Sequence, residues 1–151
     1  MIRKAQIQDA KTVAALANLL WPGHKDGELE AEFAASLADS ECAVFLFECG
    51  GQAVGFAQCG LRHDYVEGTE TSPVGYLEGI YVAEGYRHRG AARALLHACE
   101  DWAQAMGCTE FASDCGLDNT QSLAFHLACG FEEANRIICF TKSLGAVRPK
   151  P

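Results

Sequence analysis

Glu84-Gly85-Tyr86-Arg87-His88-Arg89-Gly90-Ala91-Ala92 stands between an apolar, β-prone run that ends at Val82 and an amphipathic run that continues to Met106. Small residues here let the backbone approach a ligand closely where the helix begins. A helix start leaves its first N–H groups unpaired and carries partial positive charge, so the turn suits an anion such as a pyrophosphate. The dinucleotide pattern G-x-G-x-x-G is absent. Taken alone, the stretch reads as readily as a solvated basic turn, because short motifs recur by chance.

Working outward, Gly75 to Val82 has strand character. Arg89 to Met106 places Ala92, Leu95, Leu96, Cys99, Trp102 and Ala103 on one helical face. Gly107 stops that helix, Cys108 to Asp114 reads as a strand, Asn119 to Ala128 as a short helix and Arg136 to Ser143 as a last strand. Upstream, Ile2 to Gln6 reads as a strand, after which Asp9 caps a helix carrying Val13, Leu16, Ala17 and Leu20, ended by Trp21-Pro22-Gly23. A second helix spans Glu28 to Ala38. Cys42 to Glu48 and Gln52 to Leu61 form a hairpin through Cys49-Gly50-Gly51, and the polar stretch Arg62 to Pro73 is a loop. The order β-α-α-β-β-β-α-β-α-β gives an α/β (α+β) fold, a mixed sheet with helices on its faces. One domain is expected over residues 1–144, with 145–151 a disordered tail.

No early apolar run is long enough for a signal segment and no later one for a membrane span, so the cytoplasm is the expected location. Eight cysteines without a C-x-x-C pair read as reduced, mostly buried thiols, and no metal site is expected. Twelve basic against twenty acidic residues give a net charge of −8, which disfavours nucleic acid and favours cationic partners.

Arg87-x-x-Gly90-x-Ala92 resembles the coenzyme A signature of the GNAT superfamily of N-acetyltransferases. Asn119-x-x-Ser122-x-x-Phe125-His126-x-x-x-Gly130-Phe131 resembles that superfamily's Asn-led fourth helix and the turn after it. A finer similarity is to aminoglycoside 6'-N-acetyltransferases. It is carried by Leu20-Trp21-Pro22-x-His24, Leu61-Arg62-His63-Asp64-Tyr65-Val66, Thr71-Ser72-Pro73, Leu77-Glu78-Gly79-Ile80-Tyr81-Val82 and Ala112-Ser113-Asp114. The resemblance implies a central sheet of six to seven strands flanked by four helices, acetyl-CoA as co-substrate, and a homodimer.

It also implies roles. Backbone groups of Ile80, Tyr81 and Val82 would bind the pantetheine arm. Arg87, His88, Arg89, Gly90, Ala91, Ala92 and Arg93 would surround the diphosphate, with Asn119 also on the cofactor side. A primary amine arrives protonated; with a lysine-like pKa of about 10.4, about one molecule in a thousand is free base near neutral pH, a deficit of about 4 to 5 kcal/mol. Glu78 is the base the resemblance offers, although a surface carboxylate on an edge strand reads the same way. Asp114 would contact acceptor ammonium groups. Trp21 and Tyr65 would wall the sugar rings or serve as ordinary core aromatics, and His24 would lie on the acceptor side. His126 stands where many superfamily members carry a tyrosine that protonates the leaving thiolate, and reads equally as a half-buried helix histidine. Asn135 replaces an acidic residue common in related antibiotic-modifying enzymes, which neutralises one acceptor contact. Cys115 has no activating neighbour, so direct attack in a ternary complex is expected. Two further readings stay open: acetylation of another small amine, a polyamine or a protein amino group, and a catalytically silent acyl-CoA-binding module.

Overall fold

Gly50 and Gly51 sit at positive φ, 60° and 78°, the twist a tight hairpin needs and side-chain-bearing residues resist. They join β2 (Cys42–Cys49) to β3 (Gln52–Arg62). The computed structural model describes residues 1–150. Its remaining elements are β1 (Ile2–Lys4), α1 (Ala10–Leu20), α2 (Glu28–Ala38), β4 (Val74–Val82), α3 (Ala91–Ala105), β5 (Phe111–Ser113) and α4 (Thr120–Ala128). The five strands form one mixed sheet in the order β1-β2-β3-β4-β5. Neighbours up to β4 are antiparallel, and β4 runs parallel to β5 across the α3 connection.

Period-two alternation in the central strands sends side chains to two different layers. Val44, Leu46 and Phe56 pack with Val13, Leu16, Leu29 and Phe33 of α1 and α2. Ala43, Ala57, Cys59 and Leu77 pack on the other face with Leu95, Leu96 and Cys99 of α3. Each large apolar side chain so buried contributes roughly 1.5–3 kcal/mol. Gly107, at φ 93°, turns the chain out of α3 toward β5.

The register between β3 and β4 breaks at one point: Gln58 pairs with Gly79 and Cys59 with Leu77, which leaves Glu78 without an opposite residue. Such a bulge re-aims the extra side chain and tightens the local twist. Leu77 and Ile80 accordingly both join the layer under α3. Gly79 faces the other way, where a Cβ would come within 2.4 Å of the Trp21 ring.

Several expectations are corrected. The sheet has five strands instead of six to seven. No strand forms over Arg136 to Ser143; among the described residues no helix or strand follows Ala128. The composition of that segment is β-prone, with Ile137, Ile138 and Phe140 exposed by 66%, 78% and 88%. A strand, however, exists only through a partner's backbone hydrogen bonds, which sequence does not supply. Asp9 does not cap α1 with its side chain. Its carboxylate accepts from Arg3 at 2.8 and 2.9 Å and from the Gln6 N–H at 2.8 Å, because a guanidinium is a stronger donor than a helix amide. Arg3 holds the Asp9 carboxyl below its ordinary pKa. The thiols are less buried than expected: Cys59, Cys99 and Cys108 are buried, Cys42 and Cys129 half-buried, and Cys49, Cys115 and Cys139 exposed. The exposed three fall on the hairpin turn, after β5 and in the final segment, where there is no core to join. Pro151, the end of the expected tail, lies outside the described residues.

Candidate active site

Strands β4 and β5 pair only through Gly75–Phe111, Tyr76–Ala112 and Leu77–Ser113, yet β4 continues to Val82. Past Leu77 its only strand neighbour is β3, so a crevice opens along its other side. The carbonyl of Tyr81 lies against Gly55 of β3, whereas that of Val82 turns away and accepts from Arg87 Nε at 2.7 Å. Peptide groups alternate direction along a strand, so the amides of Ile80 and Val82 face the open side.

The turn after β4 leads straight into the α3 N-terminus. The first bond of that helix runs from Ala94 N–H to Gly90 O at 3.0 Å, which leaves the amides of Ala91, Ala92 and Arg93 without helical acceptors. Gly90 takes φ 83° and His88 φ 62°. For histidine this is a rare left-handed conformation, of the kind that accumulates at ligand-binding turns. Expected cofactor residues here divide into two groups. His88 and Arg89 are exposed. Arg87 instead braces Val82, and Arg93 donates through Nη2 to the carbonyl of Ala128 at 2.9 Å, holding the end of α4. Asn119 caps the start of α4 by accepting from Ser122 N–H at 3.1 Å. A helix dipole, three forward-facing amides and nearby cations fit a diphosphate group.

Glu78 is exposed beside the crevice and bound by Arg62, whose Nε and Nη2 reach Oε1 at 3.1 and 3.0 Å while Nη2 also reaches Oε2 at 2.9 Å. The Arg62 guanidinium carbon lies 3.4 Å from the centre of the Tyr76 ring. The Tyr76 hydroxyl donates to Asp114 Oδ2. Burial, and then the adjoining Asp114 carboxylate, push the Tyr76 phenol well above its ordinary range, so it stays a donor at any working pH. Glu78 and Asp114 are thus joined through Arg62 and Tyr76, two residues to which sequence reading assigned no role. A signal existed: Gly79 inside a strand pattern marks a bulge, and the bulge is what leaves Glu78 unmatched beside the strand that ends at Arg62.

The other expected acceptor residues spread around this cluster. Trp21 packs edge-on to Phe56, ring centres 6.2 Å apart, while lying against Gly79. It therefore packs against the core while its indole covers the strand at Gly79. Tyr65 is 76% exposed, which removes its reading as a core aromatic. His24 Nδ1 lies 2.9 Å from the Trp21 carbonyl, and since a carbonyl only accepts, that nitrogen carries the proton. Asn135 donates to Glu67 Oε1 at 3.1 Å, tying the final segment to the loop that holds Tyr65.

His126 sits where β5 leaves β4. Its Nδ1 donates to the carbonyl of Ser122 at 2.7 Å, and its Nε2 is 2.8 Å from Ser113 Oγ. That hydroxyl also lies 3.4 Å from the Leu77 carbonyl and has one proton to give. In the neutral ring Nε2 is the acceptor. Phe131 and Phe125 close over the ring edges.

Comparison with known proteins agrees with this geometry. A match to the Acetyltransferase (GNAT) family spans residues 12–131. An aminoglycoside N(6')-acetyltransferase type 1 from Stenotrophomonas maltophilia is 49% identical over 144 residues, covering 95% of this chain and 93% of that protein. Its counterpart from Salmonella typhimurium is 43% identical over 127 residues, covering 84% and 88%. Among solved structures, AAC(6')-Iy in complex with the bisubstrate analogue CoA-S-monomethyl-acetylneamine superposes with a TM-score of 0.91 at 40% identity, over 95% of this chain and 97% of that one. AAC(6')-Ih from Acinetobacter baumannii gives 0.89 at 39%, over 96% and 99%. The matched residues contain the strand, turn and helix that build the crevice, and the chain belongs to the GNAT family of acetyltransferases.

Proposed function

We propose that this protein transfers the acetyl group of acetyl-CoA to the 6'-amine of aminoglycoside antibiotics, by direct attack while both substrates are bound, and so confers resistance to them. The observation that carries the reading is the placement of Glu78. It stands at a bulge in the same strand whose open amides and following helix start fit the acyl donor. Relatives with this architecture are named for that activity.

In this reading the amides of Ala91, Ala92 and Arg93 receive the diphosphate, with His88 and Arg89 alongside, and Arg87 keeps Val82 and the turn in register. The peptide groups of Ile80 and Val82 hold the pantetheine arm. The Val82 N–H polarises the thioester oxygen, an interaction of roughly 3 kcal/mol where such donors have been removed elsewhere. The acceptor amine gives its extra proton to Glu78. The Cα atoms of Glu78 and Val82 are about 13 Å apart along β4, so the proton travels through a glutamate side chain and intervening water. The amine nitrogen bonds the carbonyl carbon, the C–S bond breaks, and the thiolate takes a proton from His126 in its imidazolium form, since the neutral ring's one N–H is given to the Ser122 carbonyl. Asp114 binds other ammonium groups, while Trp21 and Tyr65 flank the sugar rings, with His24 supporting Trp21.

The exposed Ile137, Ile138 and Phe140 support a homodimer in which a second copy covers them, since a contiguous exposed apolar run marks an interaction surface. No helix is long and apolar enough to cross a membrane among the described residues, and we place the enzyme in the cytoplasm, where acetyl-CoA is available. The test is to mix protein and acetyl-CoA with aminoglycosides that have or lack a 6'-amine, with spermidine and with peptides, reading free thiol and product mass. Acetylation confined to the drugs with a 6'-amine is the expected result. Equal use of spermidine or peptides would redirect the assignment, and binding without thiol release would remove it.

A further inference from the structure

Arg62 is a cation lying in a site that the reading above gives to a cation. All its contacts with Glu78 are 2.9 to 3.1 Å, so the carboxylate oxygens are engaged on the side facing Tyr76. A carboxylate held this way has no room for a second strong donor in the same direction. An acceptor ammonium approaching Glu78 therefore meets a site already filled.

We propose that Arg62 is a displaceable counter-cation: its guanidinium holds the place on Glu78 that the acceptor's ammonium, with its bridging water, takes during turnover, which makes Arg62 a determinant of acceptor affinity. The inference rests on Glu78 facing the acceptor.

Three observations support exchange over a fixed structural pair. Arg62 and Glu78 are 43% and 35% exposed, and ion pairs that exposed are weak, so releasing one costs about two- to fivefold in acceptor affinity. Arg62 is the last residue of β3, so its side chain pivots without disturbing the sheet. Finally, its guanidinium lies flat on Tyr76 at 3.4 Å, a platform that still holds the cation when Glu78 is given up.

The variant Arg62→Gln is shorter and keeps a hydrogen-bonding amide in place of the guanidinium, but removes the charge. It is expected to lower the acceptor KM for neamine about two- to fivefold, with Arg62→Lys returning it toward the wild-type value. A fall in kcat with the neamine KM unmoved would mean that Arg62 orients Glu78, and would overturn the proposal. A second readout needs neither a variant nor turnover: the Nε–H resonance of Arg62 in labelled wild-type protein, loaded with coenzyme A and titrated with neamine. It should move as the pair opens, and a resonance unchanged at saturating neamine refutes the exchange. A wild-type protein that releases no thiol with any amine would instead sink the functional reading, a failure this second measurement keeps separate.

Discussion

Replacing Gly79 by alanine tests whether the bulge and the aromatic wall are one construction. An added Cβ would stand 2.4 Å from Trp21 Cη2, 2.6 Å from Cζ2 and 3.4 Å from Leu20 Cδ2. The first two separations are about an ångström or more inside the usual carbon–carbon contact of about 3.5–4.0 Å. The indole must slide off the strand or β4 must bow, and forced overpacking of this kind costs about 1–3 kcal/mol. With a urea slope of about 1–3 kcal/mol/M for a small protein, the unfolding midpoint should fall by about 1 M. The same shift moves Trp21 relative to Glu78, so the acceptor KM should rise while the acetyl-CoA KM changes little. A double-mutant cycle with Trp21→Ala isolates the contact: once the indole is gone, the added methyl has room, and a coupling of at least about 1 kcal/mol is expected. Equal destabilisation by Gly79→Ala in both backgrounds would show that the strand backbone resists the substitution and that Trp21 does not rest on Gly79.

Glu78→Gln should cut turnover about 10²–10⁴-fold near neutral pH. The deficit should narrow as rising pH supplies free amine, so a thiol-release profile parallel to wild type at all pH values would remove Glu78 as the base. Arg87→Ala strips the Val82 carbonyl of its charged donor, a bond worth about 1.5–3 kcal/mol; the acetyl-CoA KM should rise at least tenfold with the acceptor KM little affected, and the reverse pattern would contradict the bracing role. Asp9 is held below its ordinary pKa by Arg3, so its contribution is full above the unfolded value of about 3.9 and is lost as pH falls through the lower folded value. Asp9→Asn should therefore be less stable than wild type at pH 7 in urea titrations and converge with it in acid, and a difference that persists at the acid end would refute the assignment. Ile138→Asp should convert a dimer to monomer in sedimentation with little change in the monomer's own unfolding, and a wild-type protein that is monomeric throughout would dispose of the interface.

Local sequence carried the helices and the first hairpin well, because their causes are local. Helix α2 needed only the spacing of Leu29 and Phe33, and the hairpin only two adjacent glycines. The start of α3 was equally legible, since Gly90 and two alanines leave little else for the chain to do. Register was not legible. Gly79 marks a bulge, but nothing in Leu77-Glu78-Gly79 says that Cys59 pairs with Leu77 and Gln58 with Gly79, and the Arg62–Glu78 contact follows from that offset. The resemblance implies Arg87 beside the diphosphate, but only the structure shows that its Nε donates to a backbone carbonyl five residues earlier. The segment from Arg136 to Ser143 has the composition of a strand, but composition describes readiness to pair and is silent about what there is to pair with.

The early parting of β5 from β4 exposes peptide atoms, and these are the one part of a protein that point mutation cannot exchange. A compound that hydrogen-bonds to the amides of Ile80 and Val82 would grip features every variant keeps unless proline enters the strand, and proline there would also remove those same N–H groups from the proposed hold on the acyl donor. Escape by substitution is correspondingly narrow at those peptide groups, whereas any contact made through a side chain is open to it.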